Sequence, residues 1–500
     1  MQDIVATINS YVWSSALIYL CLGAGLFFSI MTRFVQVRQF KEMIRLLSSG
    51  KSSTEGISTF QALAVSLSGR VGTGNIAGVA AAIGFGGPGA VFWMWVVAFL
   101  GASTAYIESA LGQIYKEVDD GQYRGGPAFY IEKALGQKWY AWIFALSTVL
   151  ATGFLLPGVQ ANAIGNAIDL AVGGGTLIQS PFGEVSQVKL FVGSVIVVFL
   201  GFIIFGGVKR IATFTQYVVP VMALLYILSA LVIIGMNISV VPDIVGLIVK
   251  DAFTPMAGFG AAIGWGVKRG IYSNEAGQGT GPHAASAAEV RHPAQQGLVQ
   301  AFSVYVDTLL VCSATAFMIL ITGAYHVTGV EGAISGGSLV MTVDPNSPAF
   351  TQLAVESVVS GVGGPFVAVA LFFFAFTTLL AYYYIAETNV AYIKRTFHIP
   401  GLMLILKFGL MATVFYGAIR TASLAWALGD IGVGLMAWLN IVGILIIFLV
   451  AKPAIKALRD YEAQQAAGVE KYSFDPLALG IKNADFWDQR IKQENQKDTT

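Results

Sequence analysis

The stretch Ser68-Gly69-Arg70-Val71-Gly72-Thr73-Gly74-Asn75 lies inside an apolar run, residues 60–86, that is long enough to cross a membrane. An unbroken spanning helix is not expected there. Glycine weakens a helix interior, and an arginine at the bilayer centre costs about 2.5 to 3.5 kcal/mol on insertion scales. The chain is therefore expected to unwind around a polar cavity. Backbone freed at membrane depth is tolerated only where it is buried in protein or lines a cavity, so the segment points to a solute or ion site.

The rest of the chain fits that setting. Of 500 residues, 56% are hydrophobic and 11% charged, less than half the roughly 25% charge of a soluble globular chain. Mean hydropathy is +0.70. This is the composition of an all-α polytopic membrane protein. A net charge of +1 gives no reason to expect nucleic acid or an acidic partner, and membrane lipid is the expected surroundings. The two cysteines, Cys21 and Cys312, fall in separate apolar segments, so neither a disulfide framework nor a cysteine metal site is expected. Met1 to Tyr11 carries Asp3 in place of a basic region, and the first apolar run is expected to be retained as a helix.

Eleven spans are expected, near residues 14–32, 60–86, 89–114, 140–171, 189–207, 211–236, 256–273, 297–323, 364–393, 401–419 and 424–450. Lys and Arg concentrate in every second connection. Arg33, Arg38, Lys41, Arg45 and Lys51 follow the first span, Lys116, Arg124, Lys133 and Lys138 the third, Lys209 and Arg210 the fifth, and Arg291 the seventh. The same side receives Lys394, Arg395, Lys452, Lys456 and Arg459, whereas residues 324–363 are nearly free of basic residues. The positive-inside bias then puts the N-terminus outside and the C-terminus inside, as for a multi-pass protein of the cytoplasmic (inner) membrane.

A first helix with its connector, residues 1–58, leaves two sets of five spans, 59–240 and 241–451, and a polar tail, 452–500. Five is odd, so the two sets must lie in the membrane with opposite orientation. Each opens on a glycine-interrupted span, the second reading Gly258-Phe-Gly-Ala-Ala-Ile-Gly-Trp-Gly-Val-Lys-Arg-Gly270. Paired broken helices in inverted halves are the strongest sequence pointer to a secondary transporter, although small residues also serve close helix packing. Gly125-Gly126-Pro127 introduces an amphipathic stretch, Ala128 to Leu135, on the inner surface. Pro348 to Ser360, capped by Ser347, is a second surface helix, outside.

Half-helix ends supply binding groups. The start of the outer half of span 2, near Thr73, offers N–H donors to a carboxylate, and the carbonyls before it suit a hard cation such as sodium. In span 9, Thr377 and Thr378 follow Phe374 by one turn and are able to complete a cation site with a backbone carbonyl; bonding back to their own helix is the ordinary alternative. Gln160, after Pro157-Gly158 in span 4, presents an amide to a carboxylate or an ammonium, or simply joins two helices. Trp265, in the expected break of span 7, is placed to cap a small pocket and limit substrate size, with core packing as the plain alternative. Arg70, Glu108, Asp307 and Asp430 need partners, for function or as a structural pair. No catalytic constellation stands out, and His283, His292, His326 and His398 all fall in loops or at helix ends. An enzyme is not expected.

Gly72-Thr-Gly-Asn-Ile-Ala-Gly-Val-Ala80, Gly86-Gly-Pro-Gly-Ala-Val-Phe-Trp-Met-Trp95, Gly125-Gly-Pro, Ser273-Asn-Glu-Ala-Gly-Gln-Gly279 and Val306-Asp-Thr308 resemble the motifs of the alanine/glycine:cation symporter family, in order, over residues 14–450. The resemblance implies a leucine-transporter-type fold with one extra N-terminal helix. It also implies sodium- or proton-coupled uptake of a small amino-acid substrate, alanine or glycine. It further implies a sodium site from the carbonyls of Ser68, Val71 and Phe374 and the hydroxyls of Thr377 and Thr378. Asn75 and Gln160 would hold substrate beside the Thr73 and Gly74 backbone. Arg70 stands where the wider fold has a small residue near another sodium, so one coupling Na+ is expected. A proton-coupled or exchange carrier working through Asp307 or Glu108 stays open, as does the oligomeric state.

Overall fold

The computed structural model describes residues 2–48, 50–181, 183–254, 258–328, 343–397 and 399–498; His398 lies outside them. The chain opens with α1 (Gln2–Val12), α2 (Ser15–Met31), α3 (Val35–Arg38) and α4 (Phe40–Leu47). α5 (Thr59–Arg70) and α6 (Val79–Gly86) are the halves of a broken span, followed by α7 (Ala90–Ile114) and the hairpin β1 (Glu117–Asp119) and β2 (Gln122–Arg124). Next come α8 (Pro127–Leu135), α9 (Lys138–Leu150), α10 (Leu156–Ala171) and a second hairpin, β3 (Leu177–Ser180) and β4 (Gly183–Ser186). α11 (Gln187–Ile204), α12 (Gly207–Met236) and α13 (Val241–Phe253) lead to a second broken span, α14 (Phe259–Asn274) and α15 (Gly281–Ala287). The chain continues through α16 (Pro293–Val304), α17 (Ser313–Thr322), α18 (Ala349–Val358), α19 (Gly363–Lys394), α20 (Leu402–Ala418) and α21 (Ala422–Val450), and ends in α22 (Pro453–Ala466) and α23 (Asp485–Asp498).

Among the described residues, eight helices are long and apolar enough to cross a membrane. The other three expected spans are the two broken ones and α20, which has 17 residues. The protein is thus an all-α polytopic membrane protein, with two small hairpins in the connections. α1 was not expected as a separate element; Trp13 and Trp438 tie it to α21, the Trp13 indole donating to the Asp430 carbonyl at 2.7 Å and Trp438 to the Val12 carbonyl at 3.0 Å.

The first break falls where the sequence places it. Ser58 caps α5, accepting from the Gln61 N–H at 3.2 Å while the Gln61 side chain accepts from the Ser58 N–H at 3.0 Å. α5 stops at Val71, and a π-helical turn, Gly74–Gly78, restarts the chain.

The second break does not. Gly258 to Gly270 does not interrupt the span: α14 runs unbroken to Asn274, and Gly266 and Gly270 are packing positions. A Cβ on Gly266 would lie 2.5 Å from the Ala90 carbonyl oxygen and 2.6 Å from the Trp93 Cβ, and one on Gly270 would lie 2.5 Å from Val97. The chain unwinds instead over Glu275 to Thr280, where Glu275, Gly277 and Gly279 take φ of 58°, 86° and 80°, a region that costs glycine least. Gly266→Ala should therefore destabilise the protein by about 1 to 3 kcal/mol through overpacking, seen as a lowered thermal midpoint in detergent; an unchanged midpoint would refute the close approach of α14 and α7.

α8 forms as expected, but Pro127 to Ile131 are buried, so only its second half is a surface. α18 forms within the second expected surface helix, and the Ser347 hydroxyl accepts from the Ala349 N–H at 3.3 Å.

Candidate functional site

The break between α5 and α6 is held open by side chains from three directions. The Asn75 Oδ1 turns back to accept from the Gly72 N–H at 2.8 Å, closing the unwound loop, while its Nδ2 donates to the Asp307 carboxylate at 2.6 Å. Asp307 sits in a π-helical stretch, Tyr305–Cys312, and also accepts from the hydroxyls of Ser273 at 3.0 Å and Thr308 at 2.7 Å. Asn75 is thus aimed by Asp307. From α10, the Gln160 Oε1 accepts from the Thr73 N–H at 3.0 Å. A third π-helical turn, Ala151–Leu155, precedes Pro157, whose ring nitrogen carries no N–H for the ladder, and sets the helix that carries Gln160. π-helical turns mark functional sites in many helices, and here three of them lie in the helices that build this break.

Thr73, Gly74, Asn75 and Gln160 are therefore brought together, fully buried. Among the described residues, the buried Thr73 and Tyr272 hydroxyls have no hydrogen-bond partner. Gly74 is pressed against Ser273 and Tyr272, a Cβ there falling 3.2 Å from each. The Gln160 amide and the Thr73 and Tyr272 hydroxyls supply polar groups able to bond a carboxylate or an ammonium.

On the α5 side of the break, the Thr378 hydroxyl lies 2.8 Å from the Ser68 carbonyl oxygen and 2.9 Å from that of Phe374. Thr377 lies 3.0 Å from the same Phe374 oxygen and 2.9 Å from that of Phe373. Ser68, Phe374 and Thr378 converge across two helices. Thr377 shares the Phe374 carbonyl but bonds within its own helix, and Val71 contributes the residue that ends α5. An all-oxygen set of carbonyls and hydroxyls suits a hard monovalent cation, and the hydroxyls now donate to the carbonyls such an ion would take over. Gly72 joins this group to the pocket: a Cβ there would lie 2.4 Å from the Thr378 Oγ1 and 3.1 Å from the Gln160 Oε1.

Trp265 is not in this cluster. It stacks on Phe85 at 4.6 Å, and Arg269 lies over its ring at 5.1 Å. Seven residues of helix, about 10 Å, separate it from Tyr272.

The buried charges find separate partners. The Arg70 guanidinium donates to the Gln300 carbonyl at 3.0 Å and to the Ser303 hydroxyl, with no carboxylate in ion-pair range among the described residues. Glu108 caps the second break, accepting from the N–H groups of Gly277 at 3.3 Å and Gly279 at 3.2 Å and from Asn440 at 2.7 Å. Asp430 pairs with Lys268 and Arg269, each at 2.7 Å. Glu275 was not singled out from the sequence; its carboxylate takes the Thr280 hydroxyl at 2.9 Å and lies against Gly69. The dense run Gly277-x-Gly279-x-Gly281-Pro282 was the available signal for this second break, and for Glu275 beside it.

Comparisons with known proteins show the family and the fold. The model of the sodium:alanine symporter family matches residues 1–475. A Bacillus subtilis protein, YrbD, is 57% identical over 99% of this chain and 100% of its own length. The sodium/proton-dependent alanine carrier protein of Bacillus sp. (strain PS3) is 48% identical over 91% of this chain and 99% of its own. Among solved structures, the crystal structure of MhsT in complex with L-phenylalanine, a leucine-transporter-type fold, overlays with a TM-score of 0.51 at 16% identity, covering 80% of this chain and 100% of that one. With the family model covering residues 1–475 and relatives of 57% and 48% identity over nearly their full length, this chain belongs to the sodium:alanine symporter family, and it is a membrane transport protein, not an enzyme.

Proposed function

We propose that the protein carries alanine and glycine into the cell together with one Na+ by alternating access. The observation that carries this reading is the junction at Gly72, where the oxygen set of Ser68, Phe374 and Thr378 adjoins the Thr73 N–H now held by Gln160. The substrate carboxylate takes the Thr73 and Gly74 N–H groups, displacing the Gln160 amide oxygen, and Asn75 and Gln160 orient it. Ser68, Val71 and Phe374 carbonyls with the Thr377 and Thr378 hydroxyls hold the cation. Cation binding orders the unwound backbone, and the ordered backbone binds substrate more tightly.

The basic-loop side is read as cytoplasmic, with the N-terminus outside, in the inner membrane. Residues 59–240 and 241–451 act as the two inverted repeats. Trp265 closes the outer side through its stack on Phe85 and its contact with Arg269, and its replacement by alanine is expected to admit larger side chains.

Coupling of this kind is reciprocal: Na+ must raise alanine affinity by the factor by which alanine raises Na+ affinity, typically 5- to 150-fold. Equilibrium binding of labelled alanine and glycine to the purified protein, with Na+ or choline, tests it. Equal affinity in both media would overturn sodium coupling. A proton-coupled carrier is the second reading, favoured by the Asp307 carboxylate on Asn75; there Asp307→Asn abolishes transport while Thr378→Ala leaves it intact.

A further inference from the structure

The tail packs against the basic-loop side at the point where the two broken spans meet. The entry to α5 and the exit from α15 are clipped together, the Ile57 N–H donating to the Ala287 carbonyl at 2.9 Å and the Glu289 N–H to the Ile57 carbonyl at 2.8 Å. This clip is tied in turn to the end of α7. Gln113 donates to the Ala288 carbonyl at 3.0 Å, and the Lys116 ammonium donates to the same carbonyl at 3.0 Å.

α23 covers those ties. The Trp487 indole, fully buried, donates to the Gln113 carbonyl at 2.9 Å. Lys116 has no exposed surface; the Phe486 ring lies 4.5 Å and the Trp487 ring 5.6 Å from its ammonium, which burial pushes down to about 7. Arg490 bonds both the Glu289 carboxylate and the Val290 carbonyl at 2.9 Å, just beyond the clip. A surface helix of 14 residues with a mostly polar sequence thus spends its buried aromatic and its arginine on one place. That place is the seam between the inner ends of spans 2 and 7. Opening a path on this side requires those two ends to part or to leave α7, and α23 bridges α7 and the residues after α15 across the seam.

We propose that α23 is a latch on this gate: seated through Trp487 and Arg490, it holds the inner halves of spans 2 and 7 closed, and its release is a condition for opening the basic-loop side. The latch requires no particular substrate or coupling ion, so it stands apart from the transport reading above.

Hydrogen exchange of the full-length protein without solute, compared between wild type and Trp487→Ala/Arg490→Ala, tests it. With the latch weakened, amides 284–290 should exchange about tenfold faster, as local opening becomes more populated, while those of α6 and α18 on the opposite side do not speed up. Arg490→Ala alone should give a smaller rise at the same amides. No rise at 284–290 would overturn the proposal. So would a rise on both sides, which is what general loosening gives and a one-sided gate does not.

Discussion

Thr378→Ala is expected to raise the sodium concentration for half-maximal alanine uptake by about ten- to a hundredfold. The hydroxyl lies 2.8 Å from the Ser68 oxygen and 2.9 Å from the Phe374 oxygen, so it spans both helices there. Losing one contact to a charged group costs about 1.5 to 3 kcal/mol, and every 1.4 kcal/mol is tenfold in affinity. Thr378→Ser keeps the hydroxyl and should keep most of the affinity. Gly72→Ala acts on both halves of the site at once, because its Cβ would lie 2.4 Å from the Thr378 Oγ1 and close to Gln160. It should abolish uptake with the protein still folded, measured as initial rates in proteoliposomes beside a thermal midpoint. Near-normal uptake by Gly72→Ala would contradict the junction.

Asp430→Asn should be among the most destabilising single changes in the molecule, by about 3 to 5 kcal/mol, the cost of leaving buried charge uncompensated. Asp430 answers both Lys268 and Arg269 at 2.7 Å, and its side chain is 3% exposed and that of Arg269 1%. The guanidinium is further enclosed by Trp426 at 4.1 Å and Tyr272 at 5.7 Å. Tryptophan-fluorescence melting in detergent reads the loss. Removing the set together, Lys268→Met/Arg269→Met/Asp430→Leu, should cost less than Asp430→Asn alone, because no charge is then left behind. If the triple variant is the less stable, the charges are not carrying that cost. Arg269 also touches both Trp265 and Tyr272, so any surviving Asp430→Asn protein should show altered substrate size selection.

The spans were legible because hydropathy and alternating basic loops act over twenty residues at a time, and the first break was legible because Arg70 and three glycines coincide in eight residues. The second break was read one to two turns too early. Glycine in Gly258 to Gly270 serves two physical purposes that look alike in sequence, helix approach and helix interruption. Only the packing of Gly266 on Ala90 and Trp93 separates them. Thr73, Asn75 and Gln160 were legible as polar groups at one break because a broken helix announces its own polar ends, and the structure brings them together. Trp265 was placed by its glycine neighbours, of which Gly266 is a packing position within an unbroken helix.

Partners of buried charge were beyond the sequence. Asp430 meets Lys268 and Arg269 from more than 160 residues away, and Arg70 turns to a carbonyl and a hydroxyl where an acid was the natural expectation. Asp307 was legible only as a charge in need of a partner; in the structure it orients Asn75. The tail carried no readable motif, since its meaning lies in what Trp487 and Arg490 touch.

In the proposed mechanism one cation site and one amino-acid site share the unwound backbone of span 2. Concentrative alanine uptake by the purified protein in liposomes, driven by an inward sodium gradient at equal pH on both sides, tests it most directly. Accumulation is expected to vanish when choline replaces sodium, and in Thr378→Ala to appear only at much higher sodium. Full-rate accumulation without sodium, or unchanged sodium dependence in Thr378→Ala, would contradict it.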